Sequence, residues 1–230
     1  MDVTKQLCLV VFCLIINVLR LVAQTSIGIQ VGATHNRLDF NSDKNRLVYT
    51  AGYGEVVQLT LSTHINNWLY LESSPGMIKK NYRIINGNVI YQDINNNYLQ
   101  LPFGIGGRLN ISKKLILSNS IGIYYAYWLT SKINGTAPNA FEISTSSEGT
   151  ELIKAEHVSY KSIFNQYDRR SEFGWMVSTG MHYRIVSNLG CSVNGSYFRS
   201  LTSQRVGIME MRSPRFNETI ALTFGVLLFY

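Results

Sequence analysis

The sequence predicts an all-β fold: an eight-stranded antiparallel up-and-down transmembrane β-barrel over residues 24–230, preceded by a cleaved signal peptide over residues 1–23. Three observations support this fold class: the layout of the N-terminal segment, the alternation of apolar and polar residues in eight later segments, and connections that are alternately short and long. The 230 residues are 46% hydrophobic and 15% charged. This composition excludes a disordered chain, a collagen and a coiled coil.

The first 23 residues have the layout of a secretory signal peptide. Lys5 lies in a short polar start, an apolar stretch covers residues 7–19, and the small residue Ala23 precedes a polar segment. The apolar stretch is shorter than the roughly 20 residues that a membrane-spanning helix needs. Export is therefore favoured over the alternative, an uncleaved N-terminal anchor.

Eight segments after residue 23 alternate with the period of two that a strand with two different faces requires. In the first segment, Ile27, Ile29 and Val31 alternate with Gly28 and Gln30. No apolar run of 18 residues follows the signal peptide, which excludes a bundle of membrane helices. In hydrocarbon an unpaired backbone group costs several kcal/mol, so we expect the eight strands to close into a barrel.

The connections between these strands alternate in length. Short turns are predicted at residues 64–67, 110–114 and 186–190, and long connections at residues 35–52, 75–97, 131–171 and 201–216. Short periplasmic turns and long external loops are typical of bacterial outer-membrane barrels. The predicted location is therefore the bacterial outer membrane, with both termini in the periplasm because the strand number is even.

Polar residues on the non-apolar face of the strands are predicted to fill the lumen. These residues are Gln58, Glu72, Gln100, Arg108 and Arg184. An unpaired interior charge is costly, so we expect Glu72 to pair with the arginines and close the lumen. Conduction of protons or ions through the lumen is the alternative.

Aromatic residues near the strand ends are predicted to form girdles at the two membrane interfaces. The girdle residues are Trp68, Tyr125, Tyr127, Trp128, Trp175, Phe229 and Tyr230. A soluble barrel around a small ligand is the alternative architecture. The charged and amide residues on the non-apolar face and the aromatic residues clustered near the strand ends argue against it.

Three short motifs resemble those of a known family. Residues 28–32 read Gly-Ile-Gln-Val-Gly, residues 69–76 read Leu-Tyr-Leu-Glu-Ser-Ser-Pro-Gly, and the stretch from Tyr98 to Pro102 is similar to a Tyr-Leu-x-x-Pro signature. The chain thereby resembles the PorT-like outer-membrane β-barrel proteins of the Bacteroidetes type. The resemblance implies a barrel over nearly the whole mature chain, and some members are associated with type IX secretion. Members often carry Glu where this chain has Gln100.

The predicted function is a structural or interaction role in the bacterial envelope. The predicted partners are outer-membrane lipid, lipopolysaccharide and a protein that contacts the external loops at residues 131–171 and 201–216, because loops longer than about 15 residues are usually functional or disordered. The basic residues are scattered, which argues against a nucleic-acid partner. An accessory role in a type IX-like secretion system is one alternative.

A lipid-modifying outer-membrane hydrolase is the alternative from the enzyme class. Ser178 and His182 lie on the same face of a strand and are the candidate nucleophile and base of such a site. The sequence offers no convincing third residue to complete it. Cys191 is the one cysteine after the signal peptide, and no histidine pair has metal-ligand spacing. We therefore predict no catalytic residues, no cofactor and no metal.

Overall fold

The computed structural model describes residues 25–39, 48–86, 90–145, 151–164, 166–204 and 215–229. Its strands are β1 (Thr25–Asp39), β2 (Val48–His64), β3 (Leu69–Ser73), β4 (Gly76–Lys79), β5 (Tyr82–Asn86), β6 (Ile90–Asn110), β7 (Leu115–Thr145), β8 (Glu151–Ser162), β9 (Ser171–Arg184), β10 (Leu189–Ser200) and β11 (Phe216–Phe229). The predicted signal peptide and the predicted girdle residue Tyr230 lie outside the described residues. Among the described residues, no helix is long and apolar enough to cross a membrane.

The strands pair antiparallel and close into a ring. β1 pairs with β2 on one side and with β11 on the other. The ring continues from β2 through β3, β4 and β5, which share one position, to β6, β7, β9, β10 and back to β11. The predicted all-β, antiparallel, up-and-down barrel is confirmed, with eight positions around the ring.

The third position of the ring is divided because the chain breaks twice there. Pro75 lacks a backbone N–H and separates β3 from β4, while Lys80 and Asn81 separate β4 from β5. The sheet still holds across both breaks. The Leu59 N–H donates to the Pro75 carbonyl at 2.9 Å, and the Lys80 N–H donates to the Asn96 carbonyl at 2.9 Å.

Much of the predicted long connections is strand, which corrects the sequence-based boundaries. β5 and the first part of β6 lie within residues 75–97, and β7 continues to Thr145 and pairs with β8 within residues 131–171. The physical reason is that each hairpin continues the hydrogen-bond ladder of the barrel strands beneath it. In the predicted connection 201–216, residues 205–214 lie outside the described residues.

Side chains alternate between the two faces of the barrel wall, as the strand pleat requires. On β1, Ile29 is 63% exposed, whereas the adjacent Gln30 is 1% exposed. The same contrast recurs around the ring and gives an outward belt of exposed apolar side chains: Ile27, Ile29, Val31, Val57, Leu59, Leu99, Leu101, Phe103, Ile105, Ile121, Ile123, Val177, Leu222, Phe224 and Val226.

The height of this apolar belt is close to that of outer-membrane barrels. On β11 the exposed apolar side chains extend from Ile220 to Leu228. Eight residue steps of about 3.4 Å give about 27 Å along the strand. A strand tilt of about 40° reduces this to about 21 Å, compared with the apolar band of about 25 Å typical of such barrels.

Charged pairs mark the end of the belt that lies away from the short turns. Lys79 Nζ lies 2.8 Å from Glu55 Oε2, and both side chains are exposed. Further around the ring, Arg199 forms ion pairs with Asp39 and with Glu218. Charged groups of this kind are expected where an apolar belt gives way to water.

Candidate functional site

The five polar residues that the sequence assigns to the lumen take different roles in the structure. The Gln58 amide donates to Gln30 Oε1 at 2.8 Å, and the Gln30 amide donates to Ser192 Oγ at 3.1 Å. Gln100 is 5% exposed, and its Oε1 has no hydrogen-bond partner among the described residues. Glu72 accepts a hydrogen bond from Ser120.

The expected pairing of Glu72 with arginine is wrong. Among the described residues, Glu72 forms no ion pair, Arg108 bonds His64 and the Asn67 carbonyl, and the Arg184 guanidinium lies 4.8 Å from the centre of the Phe229 ring. The reason is distance along the strands. Glu72 is opposite Gly104 on β6, so Arg108 lies four residues, or about 13 Å, further along that strand.

A different ion pair occupies the interior, and sequence reasoning did not find it. Lys80 Nζ lies 2.5 Å from Glu172 Oε1, with the two side chains 0% and 4% exposed. Tyr124 donates its hydroxyl to Glu172 Oε1 at 2.7 Å, and Asn217 donates its amide to Glu172 Oε2 at 2.6 Å. The ammonium also lies 5.0 Å from the Tyr98 ring centre and 4.7 Å from that of Tyr124. We call these five residues the Lys80 cluster.

Lys80 reaches the interior because it continues the alternation of β4, in which Met77 is exposed and Ile78 is buried. Asn81 and Tyr82 are also buried, so the alternation of faces is lost immediately after Lys80. The side chain of Asn81 replaces backbone hydrogen bonds to the neighbouring strands at this break. The Asn96 N–H donates to Asn81 Oδ1 at 3.0 Å, and the Asn81 amide donates to the Tyr53 carbonyl at 2.7 Å. The irregular backbone therefore buries Asn81 next to Lys80, which the alternation itself places inside.

Apolar side chains surround the Lys80 cluster and fill the lumen at the same level. This apolar layer consists of Val56, Ile78, Ala126, Trp128, Met176, Phe198 and Ala221. The Tyr98 and Trp128 rings stack with their centres 5.8 Å apart, and Tyr124 meets Phe198 edge to face at 5.4 Å. A side-chain-filled cross-section is expected of an eight-stranded barrel.

The predicted aromatic girdle is partly misassigned. Trp68, Tyr125 and Trp175 point outward, with exposures of 62%, 46% and 36%, and Tyr127 is outward and partly exposed. Trp128 is 7% exposed and lies in the apolar layer, since consecutive residues of a strand point to opposite faces and Tyr127 points outward. Phe229 also points inward, because it follows the outward-facing Leu228.

The sheet continues beyond the barrel on the side away from the short turns. β8 pairs with β7 there, and β5 pairs with β6. A small separate core supports this extension: Leu38, Tyr82, Ile94, Tyr49, Ile84 and Ile133. Arg83 donates from Nε to Asp93 Oδ1 at 2.7 Å, and this hydrogen bond raises the pKa of Arg83 above its ordinary value.

A serine and a histidine meet inside the barrel, but without the remainder of a hydrolase site. Ser118 Oγ lies 2.7 Å from His182 Nε2, whereas the sequence-based candidate Ser178 bonds Ser196 at 3.0 Å. The His182 Nδ1 atom is buried and has no partner among the described residues, so no group orients the ring. The described residues contain no cluster of His, Cys, Asp or Glu that could hold a metal ion.

Comparisons with known proteins support the fold. No protein-family model and no curated protein matches the chain. OprG, an outer membrane protein of Pseudomonas aeruginosa, is 10% identical, with a TM-score of 0.53 over 89% of this chain and 95% of OprG. A major outer membrane protein from Thermus thermophilus is 12% identical, with a TM-score of 0.47 over 90% of this chain and 99% of that protein. The likeness to OprG shows that this chain has the fold of an outer-membrane β-barrel, while the PorT-like family stays a prediction.

Proposed function

We propose that this protein is an integral outer-membrane barrel with a closed lumen, which serves a structural or interaction role through the sheet that extends beyond the barrel. The observation that carries the proposal is the Lys80 cluster within its apolar layer. The burial of this ion pair, at 0% and 4% exposure, and the apolar layer around it support a lumen that is closed at that level. An interior filled in this way suits a protein that acts at its surface rather than as a pore.

The apolar belt supports placement in a membrane. Side chains such as Ile29 and Ile121 are 63% and 61% exposed, and a continuous patch of this extent is rare on a soluble monomer. Outer-membrane lipid is therefore the proposed partner of the belt. Lipopolysaccharide is the proposed contact of the charged rim that begins at Glu55 and Lys79. Both termini are proposed to lie in the periplasm, on the side of the short turns.

The extension formed by β7 and β8 is the proposed binding element. β8 pairs only with β7 among the described strands, so its second edge keeps backbone donors and acceptors available to a partner. Tyr160 on this strand is 51% exposed. An accessory role in a type IX-like secretion system is a narrower form of this proposal and rests on the PorT-like resemblance.

Conductance and crosslinking test the two halves of the proposal. In planar bilayers we expect the purified protein to give no conductance steps, and regular open-channel steps would contradict a closed lumen. A photoreactive amino acid at position 160 should give a defined crosslinked product in intact cells, whereas the same group at Ile29 in the belt should crosslink lipid. Absence of a protein adduct at position 160 and at neighbouring β8 positions would argue against the binding element.

A matched deletion separates the barrel from the extension. Ile133 and Tyr160 are directly opposed, so an Asn-Gly turn between them replaces residues 134–159 without changing register. We expect this variant to keep the different gel mobility of heated and unheated samples and to lose the crosslink from position 160. Failure to fold would mean that the extension is part of the barrel core.

A hydrolase is the second candidate, and the Ser118–His182 contact is the observation that favours it. Both side chains face the lumen, which separates them from lipid acyl chains. We therefore propose that the protein is not an enzyme. Lipid A mass spectra from cells with the wild-type protein and with Ser118→Ala should be identical, and a changed acyl pattern would support the hydrolase instead.

A further inference from the structure

A narrow polar cavity lies inside the barrel between the apolar layer and the short turns at residues 65–68, 111–114 and 185–188. The volume open to the centre of a water molecule is about 60 Å³. Met176 and Phe198 of the apolar layer form its inner end, and Ser118 and Ser178 contribute to a wall rich in hydroxyl groups. The cavity therefore opens toward the short turns and is closed in the opposite direction.

Cationic groups gather around this cavity. Arg108 Nη1 lies 2.8 Å from His64 Nε2, and Arg108 Nε donates to the Asn67 carbonyl at 3.0 Å. His64, Arg108 and His182 all line the cavity. Arg184 does not line it, but it lies on the inward face of β9, two residues beyond His182 towards the turns.

No carboxylate balances these arginines within the described part of the chain. The described ion pairs of the barrel involve neither Arg108 nor Arg184. Glu72 also lines the cavity, but it is held by Ser120 further into the lumen. The end of the cavity nearest the turns thus carries net positive charge inside a protein wall, where a charge is screened less than at the surface.

Three buried nitrogen atoms in this group lack hydrogen-bond partners among the described residues: His64 Nδ1, His182 Nδ1 and Arg184 Nε. A guanidinium only donates, so the His64 Nε2 atom accepts from Arg108 and the ring hydrogen of His64 lies on Nδ1. His64 Nδ1 and Arg184 Nε are therefore buried donors without acceptors. Leaving such donors unsatisfied is costly, and an acceptor-rich anion would satisfy them.

We propose that Arg108, His64 and His182, with Arg184 at the rim of the cavity, form a binding site for a small free oxyanion of the phosphate type, which enters from the short-turn end of the barrel. Guanidinium groups match the oxygen atoms of phosphate and carboxylate with paired hydrogen bonds. One water molecule occupies roughly 10–15 Å³ of a cavity volume measured in this way. The cavity of about 60 Å³ therefore has room for about four to six atoms of the size of oxygen. Four such atoms are the oxygen atoms of one phosphate ion.

Calorimetric titration tests the site directly. The protein is purified in a nonionic detergent and titrated with sodium phosphate at constant ionic strength. We expect saturable binding by the wild type and weakening of about tenfold or more in Arg108→Gln and in Arg184→Gln, because each loses a charge-assisted hydrogen bond. Arg108→Lys, which keeps the charge and loses the paired geometry, should lie between the wild type and Arg108→Gln.

Lys113→Gln is the matched control, because Lys113 is exposed on the turn at the same end of the barrel. It removes the same charge and should change the affinity less than twofold. Each variant is first checked for the different gel mobility of heated and unheated samples, and the titration uses those that fold. Absence of saturable binding by the wild type, or an equal loss in Lys113→Gln and the arginine variants, would overturn the proposal.

A second titration distinguishes a free anion from a lipid headgroup. Glycerol 3-phosphate carries the phosphate on the glycerol of a lipid headgroup. Inorganic phosphate should bind at least as tightly as glycerol 3-phosphate, because the cavity lies inside the barrel wall and is narrow. A preference of more than tenfold for glycerol 3-phosphate would contradict a site for a free anion.

Discussion

Replacing Lys80 with methionine should destabilise the barrel strongly. The substitution removes the ammonium and leaves the Glu172 carboxylate, which is 4% exposed, without its cation. Tyr124 and Asn217 still donate to that carboxylate, but neither carries a charge. Breaking a buried ion pair by removing one partner costs about 3–5 kcal/mol. A loss of about 4 kcal/mol corresponds to a change of roughly a thousandfold in the unfolding equilibrium constant.

Adjacent Lys79 provides the control. Its ion pair with Glu55 has a similar distance, 2.8 Å, but the side chains are 40% and 75% exposed. Exposed pairs contribute about 0–1 kcal/mol, so Lys79→Met should lower the free energy of unfolding by no more than that. Both variants replace a lysine with methionine, at neighbouring positions. A difference between their free energies of unfolding therefore reflects the different burial of the two ion pairs.

Reversible urea unfolding in lipid vesicles, followed by tryptophan fluorescence, measures both effects. We expect Lys80→Met to lower the free energy of unfolding by several kcal/mol at an unchanged slope with denaturant. The double variant Lys80→Met with Glu172→Gln should recover part of the loss, since no uncompensated charge then remains in the interior. Equal effects of Lys80→Met and Lys79→Met, or a double variant that is worse than the sum of the single variants, would refute the reasoning.

Two further pairs of substitutions test the barrel wall. A Cβ atom on Gly122 would lie 1.9 Å from the Phe103 carbonyl oxygen, whereas a Cβ atom on Gly195 would meet nothing closer than 3.9 Å. Gly122→Ala should therefore lower the free energy of unfolding by about 1–3 kcal/mol in the same urea assay, and Gly195→Ala should leave it nearly unchanged. Ile29→Lys should lower the stability in vesicles by about 2–4 kcal/mol, and Tyr53→Lys, beyond the belt, by about 0–1 kcal/mol. If Gly195→Ala lost as much stability as Gly122→Ala, close backbone packing at Gly122 would be contradicted. If Tyr53→Lys lost as much stability as Ile29→Lys, the apolar belt would be contradicted.

The faces of the strands could be predicted because lipid-facing and lumen-facing residues must alternate. Ile29 and Gln30 differ in hydropathy and lie on the faces that this difference predicts. The same rule, applied strictly, also places Trp128 and Phe229 inside the barrel. They were wrongly assigned to the girdle because they are aromatic and lie near a strand end. Their position in the alternation, which places them inside, was not taken into account.

The Lys80 cluster was missed because residues 75–97 were predicted to be a connection. Met77, Ile78, Lys79 and Lys80 alternate between the two faces, but Pro75 and Asn81 on either side of them favour turns, so this short strand was not recognised. The break after Lys80 is held by hydrogen bonds with Asn96 on another strand, which no local pattern reveals. Glu172 offered a signal, because it alternates with the inward Gly174 and Met176, but the sequence gives no indication of its partner.

The central claim is that the apolar face of the barrel wall meets lipid and the opposite face fills a closed lumen. Tryptophan fluorescence in vesicles of brominated lipid tests it most directly, because bromine quenches only nearby tryptophans. One variant retains Trp175, which points outward, and another retains Trp128, which is 7% exposed in the apolar layer. We expect strong quenching of Trp175 and little of Trp128. Equal quenching of the two, or stronger quenching of Trp128, would contradict the assignment of the faces.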